Sequence, residues 1–175
     1  MLRIARRRNP GVQFHLGDMR TFDTGRHYDA LTCMFSSITY AGDVDGLVRT
    51  LHCFASHLVP GGACVVEPFI PRESWVDKPT GHVRYAEGTD LTVAAVDRAV
   101  RSGTTVVREI AYAAATLTGL EQVRERHVFG LYSSQEYLSA FRDAGFEVEY
   151  DPQGFDATRG LYLARRLAEP ANSRD

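Results

Sequence analysis

The sequence predicts an α/β domain: a sheet built on a parallel strand pair, with an antiparallel β insertion. Three observations predict it. Residues 28–69 run as apolar strand, small polar loop, amphipathic helix, Pro-Gly-Gly turn and second apolar strand, the order that makes a parallel pair. From Val83 to Leu131 the apolar residues recur with a period of two. Helix signals then return at Ser133, followed by two short strands.

Taken in order, Leu2, Ile4 and Ala5 suit a short helix. Arg6, Arg7 and Arg8 fit its carboxyl-terminal turn, and Pro10 stops it. Val12, Phe14 and Leu16 alternate as a strand over 12–17, closed by Gly17-Asp18-Met19-Arg20. Tyr28 to Phe35 reads as a buried strand, with Ala30, Leu31, Cys33 and Met34 leaving it apolar on both faces. Asp43 caps the next helix, whose Val44, Leu47, Val48, Leu51, Phe54, Ala55 and Leu58 repeat along one face. Gly61 and Gly62 are expected to stop that helix, and Ala63 to Val66 to form the next strand. Within the insertion, Ser102-Gly103 is a hairpin turn. Ser133 and Glu136 have capping-box spacing, with Tyr132 and Tyr137 at the staple positions, and Gly145 ends that helix. Phe146 to Tyr150 and Gly160 to Ala164 are the last strands. One domain over 1–168 is expected, with 82–131 as the insertion on the substrate side and 169–175 as a disordered tail.

Composition narrows the function. Twenty basic against 22 acidic side chains in 175 residues, with pI about 6.3, give no electrostatic reason to expect nucleic acid or a membrane surface. No apolar run suits a membrane span, and the basic amino terminus lacks the apolar stretch of a signal peptide. Cys33, Cys53 and Cys64 are odd in number and set among apolar neighbours, which predicts reduced, unreactive thiols in a cytoplasmic protein. The six histidines show no metal-ligand spacing, so no metal is expected. Gly-x-Ser-x-Gly, phosphate-loop and His-Glu-x-x-His motifs are absent.

What remains is a set of strand-end motifs: GDMR at 17–20, MFSSITY at 34–40, LVPGG at 58–62 leading to VVEP at 65–68, and RGLYLARR at 159–166. In this order and spacing they resemble the class I S-adenosylmethionine-dependent methyltransferases, and most of all the N-methyltransferases of nucleotide-linked amino sugars in antibiotic biosynthesis. The resemblance covers essentially the whole chain. It implies a Rossmann-like methyltransferase sheet, S-adenosylmethionine as cofactor and an amino-sugar nucleotide as small-molecule substrate. A homodimer is compatible with it.

One departure stands out. The family's glycine-rich loop and the acidic residue after its second strand are not found here. The sheet is therefore expected to be partial, its amino-terminal strands absent, with strand 28–35 left at an edge and 12–17 left without its partner. Such a chain is expected to bind the methyl donor weakly and to have weak or no activity. A non-catalytic methyltransferase-like module that pairs through the exposed strand edge is the alternative, and a nicotinamide oxidoreductase a more distant one.

The resemblance also assigns roles. Asp18 accepts from the adenine amino group and the Met19 backbone faces the ring; a plain turn aspartate is the other reading of Asp18. Met34 and Phe35 present backbone and side chain to the cofactor, although Met34 fits core packing equally well. Tyr40 stands where the family places a His or Tyr near the substrate amine. Its phenol orients that amine, accepts its proton, or simply packs. His127 is a second candidate base. Glu67 faces the crevice as an attractor of ammonium, Trp75 lies in a loop suited to covering substrate, and Arg159 is a candidate phosphate contact or a surface arginine.

Overall fold

The computed structural model describes residues 1–78, 80–155 and 159–168. Helix α1 spans Leu2–Arg8, carries Arg6, Arg7 and Arg8 in its last turn, and buries no residue. The expected strand 12–17 does not form. Among the described residues it joins neither sheet, and Leu16 is 88% exposed. Alternation alone makes no strand where no neighbour takes the backbone groups. Here the Phe14 carbonyl instead accepts from Arg6 Nη2 at 3.1 Å.

Strand β1 (Tyr28–Cys33) is shorter than the predicted 28–35, because the backbone turns left-handed at Phe35 and Ser36. Helix α2 (Val44–Ser56) begins as expected, with Asp43 Oδ1 accepting from the Gly46 amide at 2.7 Å, and buries Leu47, Leu51 and Phe54. It stops at His57, before the glycines. The His57 ring there accepts from the Thr24 amide through Nε2 at 3.2 Å and stands 2.8 Å from the Cys53 carbonyl through Nδ1. Pro60-Gly61-Gly62 lies inside strand β2 (Leu58–Val66) and makes an irregularity, the register stepping from Tyr28–Leu58 to Ala30–Ala63. Those residues therefore serve as a bulge, where a strand tolerates proline and glycine.

Strands β3 (His82–Glu87), β4 (Leu91–Ser102), β5 (Thr105–Thr116) and β6 (Gly119–Gly130) form an antiparallel sheet in that order, with the predicted turn at Ser102–Gly103. Helix α3 (Ser134–Asp143) has the full capping box, and the Tyr132 and Tyr137 rings meet edge-on at 5.3 Å. Gly145 follows it with φ +79°. Strands β7 (Phe146–Asp151) and β8 (Leu161–Arg166) complete a second sheet of order β1-β2-β8-β7, in which only β1 and β2 run parallel. Helices α2 and α3 cover it through Leu47, Leu51, Phe54, Tyr137 and Phe141, packed on Cys64, Val66, Phe146 and Tyr162. Among the described residues, β1 pairs with β2 alone.

Burial pushes the Cys33 and Cys64 thiols up to about 11 and about 12, in keeping with unreactive thiols. Among the described residues no helix is long and apolar enough to cross a membrane, and no group of side chains has the make-up of a metal site. The expected tail 169–175 lies outside the described residues.

Candidate functional site

The carboxyl ends of β1 and β2 are laced together by polar contacts. Glu67, just past β2, donates its amide to the Cys33 carbonyl at 2.9 Å and accepts the Phe35 amide on Oε2 at 2.7 Å. Ser36 Oγ donates to the Pro68 carbonyl, Ser37 Oγ to Met34, and Thr39 Oγ1 to Ser36, at 2.9, 2.7 and 2.7 Å. These bonds hold Phe35 and Ser36 at φ +53° and +59°, a conformation that costs a non-glycine residue about 1–2 kcal/mol. The strained pair throws the Phe35 side chain into solvent, 82% exposed, and starts the 3-10 turn Ser37–Ala41 that carries Tyr40. Strain of this kind collects where a protein must fix a loop for function.

Two predicted site residues meet on this scaffold. Glu67 Oε1 pairs with Arg159 Nη1 at 3.0 Å, while its other oxygen serves Phe35. The carboxylate expected to attract an ammonium thus holds the loop and the arginine in place.

The second meeting is between Tyr40 and His127. Tyr40 Oη lies 2.8 Å from His127 Nδ1, although the two are 87 residues apart. His127 is on β6, and its Nε2 stands 3.3 Å from Glu125 Oε2, which also accepts from the Tyr112 hydroxyl at 3.3 Å. A carboxylate only accepts, so in the neutral ring Nε2 carries the proton and Nδ1 accepts from the Tyr40 hydroxyl. Burial raises the Tyr40 phenol above its ordinary value; Arg108 opposes the shift and Glu125 adds to it, so the hydroxyl keeps its proton at neutral pH. Sequence reasoning missed Glu125. Its signal was the spacing: two residues before His127 on a strand, it must share the histidine's face.

A row of rings runs on from this pair. Tyr40 meets Phe129 at 5.1 Å, His127 stacks on Phe129 at 5.8 Å, Phe129 meets Phe69 at 6.1 Å, and Phe69 meets Trp75 at 6.0 Å. Trp75 Nε1 donates to Asp77 at 2.8 Å. The predicted substrate-covering tryptophan therefore closes the far end of the row.

The predicted cofactor residues are locally defined. Arg20 grips Asp18 with Nε on Oδ1 at 2.9 Å and Nη2 on Oδ2 at 2.6 Å, and its amide also donates to Oδ1. This grip holds the Asp18 carboxyl down at about 2, ionised at any physiological pH. Met19 is half-buried against the core and Met34 is half-buried past the end of β1.

On the same face of the antiparallel sheet, Asp97 is only 4% exposed and its Oδ2 receives both Arg84 Nη2, at 2.8 Å, and Arg108 Nη2. Burial pushes its carboxyl up, but the hydrogen bond and charge of Arg108 and the charge of Arg84 outweigh it and hold it below the ordinary carboxylate value. A carboxyl depressed on folding stabilises the fold above its unfolded pKa of about 4, and that stabilisation is lost as pH falls through the folded value. Asp97→Asn should therefore lower stability to urea at pH 7, and the deficit should shrink as the pH falls below about 4. A deficit of equal size at both ends would refute the charge account.

No family model matches the chain. It is 39% identical over 165 residues to the dTDP-3-amino-3,6-dideoxy-alpha-D-glucopyranose N,N-dimethyltransferase of Streptomyces fradiae, covering 93% of this chain and 63% of that protein. It is 37% identical to the dTDP-3-amino-3,4,6-trideoxy-alpha-D-glucopyranose N,N-dimethyltransferase of Streptomyces venezuelae, covering 93% and 68%. The chain thus spans about two-thirds of the length of the curated relatives it matches. Among solved structures it superposes on SAM-bound CalS10, an amino pentose methyltransferase from Micromonospora echinaspora. That match has a TM-score of 0.82 and 34% identity, over 94% of this chain and 69% of that one.

Proposed function

The chain belongs to the S-adenosylmethionine-dependent N-methyltransferases of amino sugars, and from that premise we propose that it methylates the amine of a nucleotide-linked amino sugar in the cytoplasm. The observation that carries this reading is the Tyr40–His127 hydrogen bond, 2.8 Å long, set beside the carboxyl end of β1 where such sheets bind small ligands.

The residues present fit the cofactor. Asp18 is ionised and 45% exposed, so it has lone pairs to offer an adenine amino group; Met19 follows it, and Met34 and Phe35 stand just past the carboxyl end of β1. When bound, the sulfonium supplies a methyl group whose C–S bond electrons leave with sulfur as the amine nitrogen forms its new bond. The protein must hold that nitrogen in line and keep water out, and such positioning supplies up to about 7–11 kcal/mol. The amine must also shed a proton. Tyr40 Oη takes it while passing its own proton to His127 Nδ1, and the imidazolium so formed rests against Glu125. Each proton moves one hydrogen bond, and the charge ends beside a carboxylate.

The test supplies S-adenosylmethionine and a dTDP-linked amino sugar to the chain, alone and with any sequence read in frame before Met1. The control is the same sugar bearing a hydroxyl in place of the amine. Methyl transfer confined to the amine is expected. Equal transfer to the hydroxyl sugar would overturn N-methylation, and transfer only to a different metabolite amine would overturn the sugar.

A further inference from the structure

Trp75, the single tryptophan of the chain, stands directly after the 3-10 turn Arg72–Ser74. So short a 3-10 turn has poor hydrogen-bond geometry and needs anchors from outside. They come from the segment between β6 and α3. The Arg72 amide donates to the Tyr132 carbonyl at 2.9 Å, and Arg72 Nη1 donates to the Leu131 carbonyl at 3.3 Å. Arg72 Nη2 donates to Glu136 Oε1 at 2.7 Å, and the Ser134 amide donates to Glu73 Oε1 at 3.0 Å. Glu136 thereby does two jobs: Oε2 accepts the Ser133 amide of the capping box at 2.7 Å, and Oε1 takes the guanidinium. The Arg72 and Glu136 side chains are only 24% and 26% exposed, so water weakens this charge-assisted pair less than a surface one. Burial pushes the Glu136 carboxyl up, and the Ser133 amide and Arg72 outweigh it, holding it below its ordinary value.

We propose that Arg72 is a positioning residue for the methyl transfer: through Glu136 and the Leu131 carbonyl it fixes Trp75 as the cover over the substrate. The proposal rests on the reaction proposed above and names what holds its cover in place. The segment that Arg72 grips begins at Leu131, where β6, the strand of His127 and Phe129, has just ended. Trp75 leans on Phe69, and Phe69 on Phe129, at 6.0 and 6.1 Å. Cover and base are thus registered on one stretch of chain. Trp75 Nε1 donates to Asp77, which orients the indole within its own loop and leaves the anchoring of that loop to Arg72 and Glu73. A loosened cover costs substrate binding while the Tyr40–His127 pair stays intact, because Arg72 bonds to neither member of that pair.

Because Trp75 is the one tryptophan, its fluorescence reads the latch without measuring methyl transfer. In Arg72→Ala its emission should move to the red and acrylamide should quench it more readily than in the parent. KM for a dTDP-linked amino sugar should rise about tenfold, the lower end of what a hydrogen bond to a charged group is worth, with kcat changed far less. Arg72→Lys should recover only part of both effects, because the charge stays and the fork goes. Glu136→Gln keeps the test readable if Arg72→Ala unfolds. A glutamine still serves the capping box through its oxygen, and its NH2 then faces the guanidinium, so the latch opens while the helix start is kept. Unchanged emission and quenching in both variants would overturn the proposal. So would a looser Trp75 with KM unaltered, or a lowered thermal midpoint as the sole effect, since each leaves Arg72 a fold contact alone. A parent chain that methylates no amine would refute the reaction, and the fluorescence would still decide whether Arg72 holds Trp75.

Discussion

Replacing Tyr40 by Phe is expected to lower the rate of methyl transfer by about 10²–10⁴-fold, the contribution of a positioned base. The ring contact with Phe129 at 5.1 Å survives the change, and so does the turn Ser37–Ala41, held by backbone bonds and the Ser37 and Thr39 hydroxyls without the phenol. What is lost is the one oxygen joined to His127 Nδ1. The loss should fall on kcat, with KM for the sugar nucleotide and the thermal midpoint close to the parent. His127→Asn should share the defect, since the proton then has nowhere to pass, and the double variant should be little worse than either alone. Glu125→Gln is the milder change: the amide still accepts from Nε2–H but no longer balances an imidazolium, so activity should fall by less than in Tyr40→Phe. Steady-state kinetics across pH decide this. Full activity in Tyr40→Phe would mean that orientation alone carries the reaction and the amine arrives already deprotonated.

Gly130→Ala should cost about a hundredfold in activity, although Gly130 bears no chemistry. A Cβ there would lie 2.3 Å from the Gly42 carbonyl oxygen and 2.4 Å from Tyr132 Oη, distances that real atoms do not keep. Gly42 caps the turn carrying Tyr40, and Gly130 ends the strand carrying His127. Relief of the clash must part the two elements that meet in the 2.8 Å hydrogen bond, and a misplacement of about 1 Å can cost a hundredfold in rate. Destabilisation of about 1–3 kcal/mol should accompany it, the usual penalty for overpacking. Urea unfolding and kinetics on one preparation check both. A variant of lower stability but parental rate would show that the contact only holds the fold.

Much of this arrangement is written locally in the chain. Asp43 with Gly46, and Ser133 with Glu136, place two helix starts because a cap needs only neighbours. The period of two after Val83 yields the antiparallel sheet because each hairpin pairs with the next segment along. Val12, Phe14 and Leu16 show the limit: the same alternation makes no strand where no partner lies alongside. Pro60-Gly61-Gly62 shows another, since a helix stop and a strand bulge call for the same residues.

The site divides in the same way. Tyr40 and His127 were each legible as chemistry, but not their meeting, which depends on docking β6 against the turn after β1. Glu125 and Asp97 lay unremarked among surface-like residues such as Arg124, Arg126 and Arg98. Their importance comes from which face of a twelve-residue strand turns inward. Glu67 was expected to hold an ammonium because its two ligands, the Phe35 amide and Arg159, are brought to it by tertiary structure.

The most direct measurement is a crystal structure with S-adenosylhomocysteine and a dTDP-linked amino sugar. The account predicts the amine nitrogen about 3 Å from Tyr40 Oη, within hydrogen-bond reach. It also predicts Glu67 still paired to Arg159. A sugar nucleotide bound with its amine away from the Tyr40–His127 pair would contradict it.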